Sequence, residues 1–268
     1  MKIAAVQMVS GSEVEKNLKT VTNFINLAVE QNVKFLVLPE NFACMGMNET
    51  DKLDIREKQG DGPIQEFLKH AAREHGIWIV GGTIPIDSGN KERIISRCQV
   101  YSDQGECVGF YDKMHLFDVQ VPDSTESYSE SDTIQAGSEV VVLDTPFGKA
   151  GLAVCYDLRF PELFRQLLDK GAELLIVPSA FTDLTGRAHW EILVRTRALE
   201  NACYLIAANQ GGIHINGRET YGHSVIVDPW GRILNQLEKG IGLVVGEIDS
   251  DRVKQIRESF PSVQHRII

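Results

Sequence analysis

The chain has 268 residues, enough for one large domain with a sizeable core. A formal net charge of −10 with no Lys/Arg stripe argues against a nucleic-acid partner, because such affinity rests on cationic contacts with phosphate. Five cysteines with no C-x-x-C spacing argue against a disulfide framework or structural zinc and fit a reducing, cytoplasmic setting; the apolar start is too short for a signal core or a membrane span.

"KIAAVQMV" at 2–9 predicts a buried strand. Ser12 and Glu15 have the spacing of a capping box, and Val14, Leu18, Val21, Phe24, Ile25, Ala28 and Val29 follow with a helical period. "KFLVLPE" at 34–40 predicts a second strand, stopped by Pro39. Ile64, Phe67, Leu68, Ala71 and Ala72 mark an amphipathic helix, and strands are predicted at 77–86 and 93–102. The polar, acidic "VPDSTESYSESD" at 121–132 predicts a loop, and such loops within α/β domains often carry function.

The second half repeats this rhythm. Residues 139–155 predict a hairpin turning at Pro146–Gly148. A helix at about 161–170, a strand at 173–181 and a helix at about 189–202 follow. After "YLIAANQ", a second hairpin turns at Asp228–Gly231, and "GLVVGEID" and a helix near 250–259 close the chain. Alternating strands and helices in two similar halves predict an α/β protein with two helix-covered sheets, taken as a single domain over 1–268 with the last twenty or so residues as an extension.

Three reactive residues stand at strand ends: Glu40 after "FLVLP", Lys113 after "CVGFYD" and Cys155 after "GLAV". Ligands gather beyond the carboxyl ends of strands in open α/β sheets, so the three can converge. Each also has a plain reading: a buried core thiol, a solvated carboxylate, an exposed lysine. Pro161 suits the first turn of a helix, which makes "YDLRF" a strand-to-helix turn that would hold a nucleophile exposed near backbone N–H groups.

"LVLPENF", "YDKMHLFD" and "LAVCYDLRFPELFR" resemble the three catalytic segments of the nitrilase superfamily of carbon–nitrogen hydrolases, in that family's order. "PSAF", "AHWEILVRTRALEN", "YGHSVIVDPWG" and "QHR" extend the resemblance over nearly the whole chain. It implies a four-layer α-β-β-α sandwich, assembly as a homodimer or larger, no cofactor, and a triad of Glu40, Lys113 and Cys155. The segment "YSESD" picks out Glu130 as a supporting glutamate. The implied reaction is amide hydrolysis through a thioester on Cys155, and no metal-ligand pattern such as H-E-x-x-H is present. The closest resemblance is to amidases acting on deaminated glutathione, with the ω-amidases acting on α-ketoglutaramate next. A nitrile hydrolase would use the same triad, and a silent binding protein would share the fold.

Arg159 reads either as an ion pair with Asp157 or Glu162, or as a fork for a substrate carboxylate. Tyr156 and His189 are candidate substrate contacts; His189 and Trp190 either line the pocket or pack, and His115 is equally open. Cys44, Cys98, Cys107 and Cys203 are read as structural. Arg187 stands where the family more often has proline.

Overall fold

The computed structural model describes residues 1–122 and 125–267. In chain order the first half runs β1 (Lys2–Gln7), α1 (Val14–Glu30), β2 (Phe35–Val37), α2 (Asp51–Asp54), α3 (Pro63–His75), β3 (Trp78–Val80), β4 (Ile84–Asp87), β5 (Ile94–Tyr101) and β6 (Cys107–Asp112). A short hairpin follows, β7 (Asp118–Gln120) with β8 (Ser127–Ser129). The second half runs β9 (Val142–Thr145), β10 (Gly148–Leu152), α4 (Pro161–Asp169), β11 (Leu174–Ile176), α5 (Asp183–Asn201) and β12 (Tyr204–Ala207). It closes with β13 (Ser224–Val227), β14 (Ile233–Leu237), β15 (Gly242–Glu247) and α6 (Ser250–Ser259).

The first sheet has the order β15-β1-β2-β3-β5-β4, with β6 also paired to β5; the second has the order β14-β13-β12-β11-β10-β9. Period-two alternation sorts the buried side chains. Ile3, Ala5, Phe35, Val37 and Val80 face the second sheet, where they join Leu152, Leu174 and Leu205 in one core. Ala4, Val6, Leu36 and Ile79 point the other way, onto Val21, Ile25, Ile64 and Leu68 of α1 and α3. Leu163, Phe164, Trp190 and Val194 of α4 and α5 cover the outer face of the second sheet. The result is the expected α-β-β-α sandwich. Phe35 and Phe147, with ring centroids 5.0 Å apart, pin the two sheets together.

Local expectations change in four places. The strand at 77–86 is two strands, because Gly81–Gly82 breaks it: Gly82 has φ +50°, and a Cβ there would run into the Pro39 carbonyl. Ser12 does not cap α1; Glu13 is the N-cap without a side-chain bond, and Asn17 instead reaches back to the N–H and carbonyl of Gly11. The helix expected from 189 begins at Asp183, with Thr182 as N-cap. Arg187 therefore lies within that helix, bonded to Asp183 at 2.6 Å. The acidic loop holds β8 and a 3-10 turn at Glu130–Asp132; its Asp123 and Ser124 lie outside the described residues. Among the described residues no helix is long and apolar enough to cross a membrane.

Candidate functional site

The site forms where the two sheets meet. Glu40 follows β2 and Lys113 follows β6, both on the first sheet; Cys155 follows β10 on the second. Glu130 arrives on the 3-10 turn after β8. Cys155 has φ +47°, the left-handed region that a side chain rarely adopts, at the head of a 3-10 turn running to Arg159. Pro161 then opens α4. Backbone strain of this kind, of order 1–3 kcal/mol, persists only where surrounding bonds enforce it.

Those bonds come largely from Asp157, which is fully buried. Its carboxylate accepts from the Val154 N–H at 2.7 Å, the Tyr111 hydroxyl at 2.8 Å and the His115 N–H at 3.1 Å, and its Oδ1 lies 2.6 Å from His115 Nδ1. One side chain thus ties the residue before Cys155 to the segment that carries Lys113. His115 also stacks on Phe160, with centroids 3.6 Å apart. The Asp157 alternative for Arg159 is thereby removed, and His115 supports the site from behind.

Lys113 is 1% exposed. Its Nζ donates to Glu40 Oε1 at 2.8 Å and to both Glu130 oxygens at 2.9 and 2.7 Å. Burial pulls the lysine pKa down, but Glu130 and Glu40 outweigh it and hold the ammonium well above its ordinary value. Burial works against ionising Glu130 as well, yet Lys113, Lys52 and the Phe117 N–H bring its carboxyl below the usual range. Burial and then the Glu40 charge push the Cys155 thiol well up, so it rests protonated next to a carboxylate. Moving its proton to Glu40 leaves the charge of the cluster unchanged. The Cys155 N–H is bonded to the Pro178 carbonyl at 2.9 Å, whereas the Tyr156 N–H has no bond among the described residues.

The four residues line a cleft of about 280 Å³ together with Tyr156 and Arg159. Arg159 lies over the rings of Tyr156 and Phe181 and has no carboxylate partner among the described residues. His189 is not on the cleft wall; it stands behind Arg159, with Nδ1 3.2 Å from Nη1. Burial and then the Arg159 charge keep the imidazole below its ordinary pKa, so the neutral ring accepts from the guanidinium and orients it. Trp190 packs, fully buried, with its indole N–H on the His223 carbonyl. Cys44, Cys98 and Cys203 are buried and Cys107 is exposed on β6, all as free thiols. Among the described residues no cluster of His, Cys, Asp and Glu has the arrangement of a metal site.

Sequence reasoning missed Phe117 and Arg218, which also line the cleft. Arg218 belongs to the polar connection between β12 and β13, where no periodicity marks a site. The long polar stretch 209–221 that carries it reads from the sequence as a candidate for the leaving-group side of the pocket, or as solvated surface or dimer contact, without marking Arg218 itself.

A family model described as carbon-nitrogen hydrolase matches residues 2–258. The chain is 42% identical over 267 residues to a deaminated glutathione amidase of Synechocystis sp., covering 98% of this chain and 97% of that one. Among solved structures, the C. elegans NitFhit protein superposes with a TM-score of 0.91 at 38% identity, over 99% of this chain, which spans 65% of that longer one. Saccharomyces cerevisiae Nit3, a member of the nitrilase superfamily, superposes with a TM-score of 0.88 at 30% identity, over 100% of this chain and 97% of that one.

Proposed function

The chain belongs to the carbon–nitrogen hydrolase family, and on that premise we propose that it is a cysteine-dependent amidase whose substrate is deaminated glutathione, cleaved to 2-oxoglutarate and cysteinylglycine. The observation that carries the mechanism is the buried contact of Lys113 with Glu40 and Glu130 beside a protonated Cys155. Glu40 takes the thiol proton as sulfur attacks the amide carbonyl. The oxyanion forms against the Lys113 ammonium and the Tyr156 N–H, donors already fixed in place. Glu40 returns the proton to the departing amine, and the C–N bond breaks to leave a thioester. It then deprotonates water for hydrolysis of that thioester. Glu130 holds Lys113 in position throughout.

Arg159, free of a carboxylate partner and oriented by His189, is the clamp for the carboxylate of the acyl half. Deaminated glutathione and α-ketoglutaramate share that half and differ only in the leaving group. The relative from Synechocystis supports the first. The test is side-by-side kinetics with mass spectrometry of the acyl-enzyme. Expected are a 2-oxoglutaryl adduct on Cys155, its loss in a folded Cys155→Ser protein, and a kcat/KM for deaminated glutathione at least about tenfold above that for α-ketoglutaramate, equivalent to about 1.4 kcal/mol. Equal efficiency, or preference for α-ketoglutaramate, would move the protein to ω-amidase activity.

Two copies associate, in this reading, through the outer face of α5. Ile192, Leu199 and Trp230 are exposed around a hollow there that Glu191, Arg195 and Thr196 also line, and Phe260 packs on Trp230. Light scattering should return twice the 29.8 kDa chain mass; the single mass at micromolar concentration refutes this. Five free thiols fit a reducing compartment such as the cytoplasm.

A further inference from the structure

Beyond the cleft lies a larger hollow, open to solvent. The two share Phe117, Glu130 and Arg218, so they are adjoining chambers. The outer wall carries hydroxyl and amide groups from Asn48, Thr50, Ser127, Ser129 and Thr133. Two buried polar atoms on this wall, Arg218 Nε and Thr133 Oγ1, have no hydrogen-bond partner among the described residues. Arg218 donates from Nη2 to the Ala180 carbonyl at 2.8 Å, its only side-chain hydrogen bond among those residues, and lies 5.0 Å over the Tyr128 ring. It makes no ion pair among the described residues: of the acids on this hollow, Glu130 is bonded to Lys113, Glu49 is bonded to Lys52 at 3.0 Å and feels the Arg218 charge less strongly than that of Lys52, and Asp132 is in no ion pair. A half-buried guanidinium with unfilled donors, held between a ring and a carbonyl, is arranged for a planar anion that the chain itself does not supply.

We propose that this hollow receives the leaving half of the substrate and that Arg218, on the boundary the hollow shares with the cleft, binds the terminal carboxylate of that half. The proposal rests on the amidase reading and specifies what that enzyme accepts on the amine side: a short peptide ending in a free carboxylate. Two extended residues reach about 7 Å, and the two chambers adjoin at Phe117, Glu130 and Arg218. Arg159 and Arg218 then divide the substrate between them, one for each terminal carboxylate. Ammonia as leaving group would leave the hollow unused.

The deciding substrates are deaminated glutathione and its C-terminal carboxamide, which differ only at the terminal group. In the wild type the carboxylate form should be favoured at least about tenfold in kcat/KM. In Arg218→Met the ratio should fall to near one, and in Arg218→Lys to an intermediate value, since lysine keeps the charge and loses the fork. The ratio is read on whatever activity survives, so a general loss of rate does not obscure it. Calorimetry with cysteinylglycine and cysteinylglycinamide provides an arm independent of the acyl group: wild type should prefer the acid about tenfold, and Arg218→Met should not. Failure of the substrate proposal would show as no turnover of any 2-oxoglutaryl amide with this binding preference intact. A wild-type ratio near one, or a ratio unchanged by Arg218→Met, overturns the assignment.

Discussion

Replacing Asp157 by asparagine tests whether one buried carboxylate aligns the two halves of the site. The carboxylate accepts the Val154 N–H and Tyr111 hydroxyl on Oδ2, and the His115 N–H on Oδ1, which also meets His115 Nδ1. Asparagine keeps one oxygen, so two of these contacts are lost and an amide N–H is set against donors. A hydrogen bond to a charged group contributes about 1.5–3 kcal/mol, and coupled bonds do not add fully. Two lost bonds at the low end give a destabilisation of about 3 kcal/mol, which corresponds to a melting shift of about 6–12 °C. The displacement falls on Val154, next to the nucleophile, and on the segment carrying Lys113. Misplacement by about 1 Å can cost on the order of 10²-fold in rate, so kcat should fall by that order with KM less affected. Tyr111→Phe removes one donor to the carboxylate and the acceptor of the Met114 N–H, and should cost about 2 kcal/mol with a smaller loss of kcat. Thermal melting and steady-state kinetics on the purified proteins decide the matter. An Asp157→Asn protein within 2 °C and threefold of wild type would refute the alignment role.

Glu40→Gln and Lys113→Ala should each cost roughly 10³-fold or more in kcat, and the double variant little beyond either, because groups that act as one unit are non-additive; additive losses would show independent action. Alkylation of Cys155 by iodoacetamide, followed by peptide mass, should keep accelerating above about pH 9, since its raised pKa leaves the thiol protonated at neutral pH; a plateau below about pH 7 would contradict that. Glu130 has a folded pKa below its ordinary value, so its stabilisation is present above about pH 4.5 and lost as pH falls through the folded value. The melting temperatures of wild type and Glu130→Gln should therefore converge in acid and separate toward neutrality, and a constant gap across that range would count against the ion pair.

What the sequence makes legible is the apolar alternation of β1 and β2 and the reactive residues at strand ends, because both are local patterns. The gathering of Glu40, Lys113, Cys155 and Glu130 was expected from motif resemblance, and the structure brings all four to one cleft. The start of α5 was missed because Asp183 through Arg187 carry no apolar period; Gly186 is there because a Cβ would strike the Tyr221 ring. Asp157 was weighed as a partner for Arg159, since a pair two residues apart in sequence is easy to draw. Its actual partners, Tyr111 and His115, lie 46 and 42 residues away. The length and polarity of the 209–221 loop point to the leaving-group side, but nothing local marks Arg218 within it, and the meeting of two chambers assigns that residue a place.

Cys155 hangs from the second sheet and Glu40 from the first, and the first sheet is completed only when β15 pairs with β1, Lys2 against Glu247. During synthesis β15 therefore emerges after every other strand of both sheets. Until the two sheets pack, Cys155 has neither Glu40 nor Lys113 docked beside it. A nascent or half-folded chain thus carries an inert cysteine, and chemistry begins only once the sandwich has closed. Closure of the sandwich is what assembles the cleft.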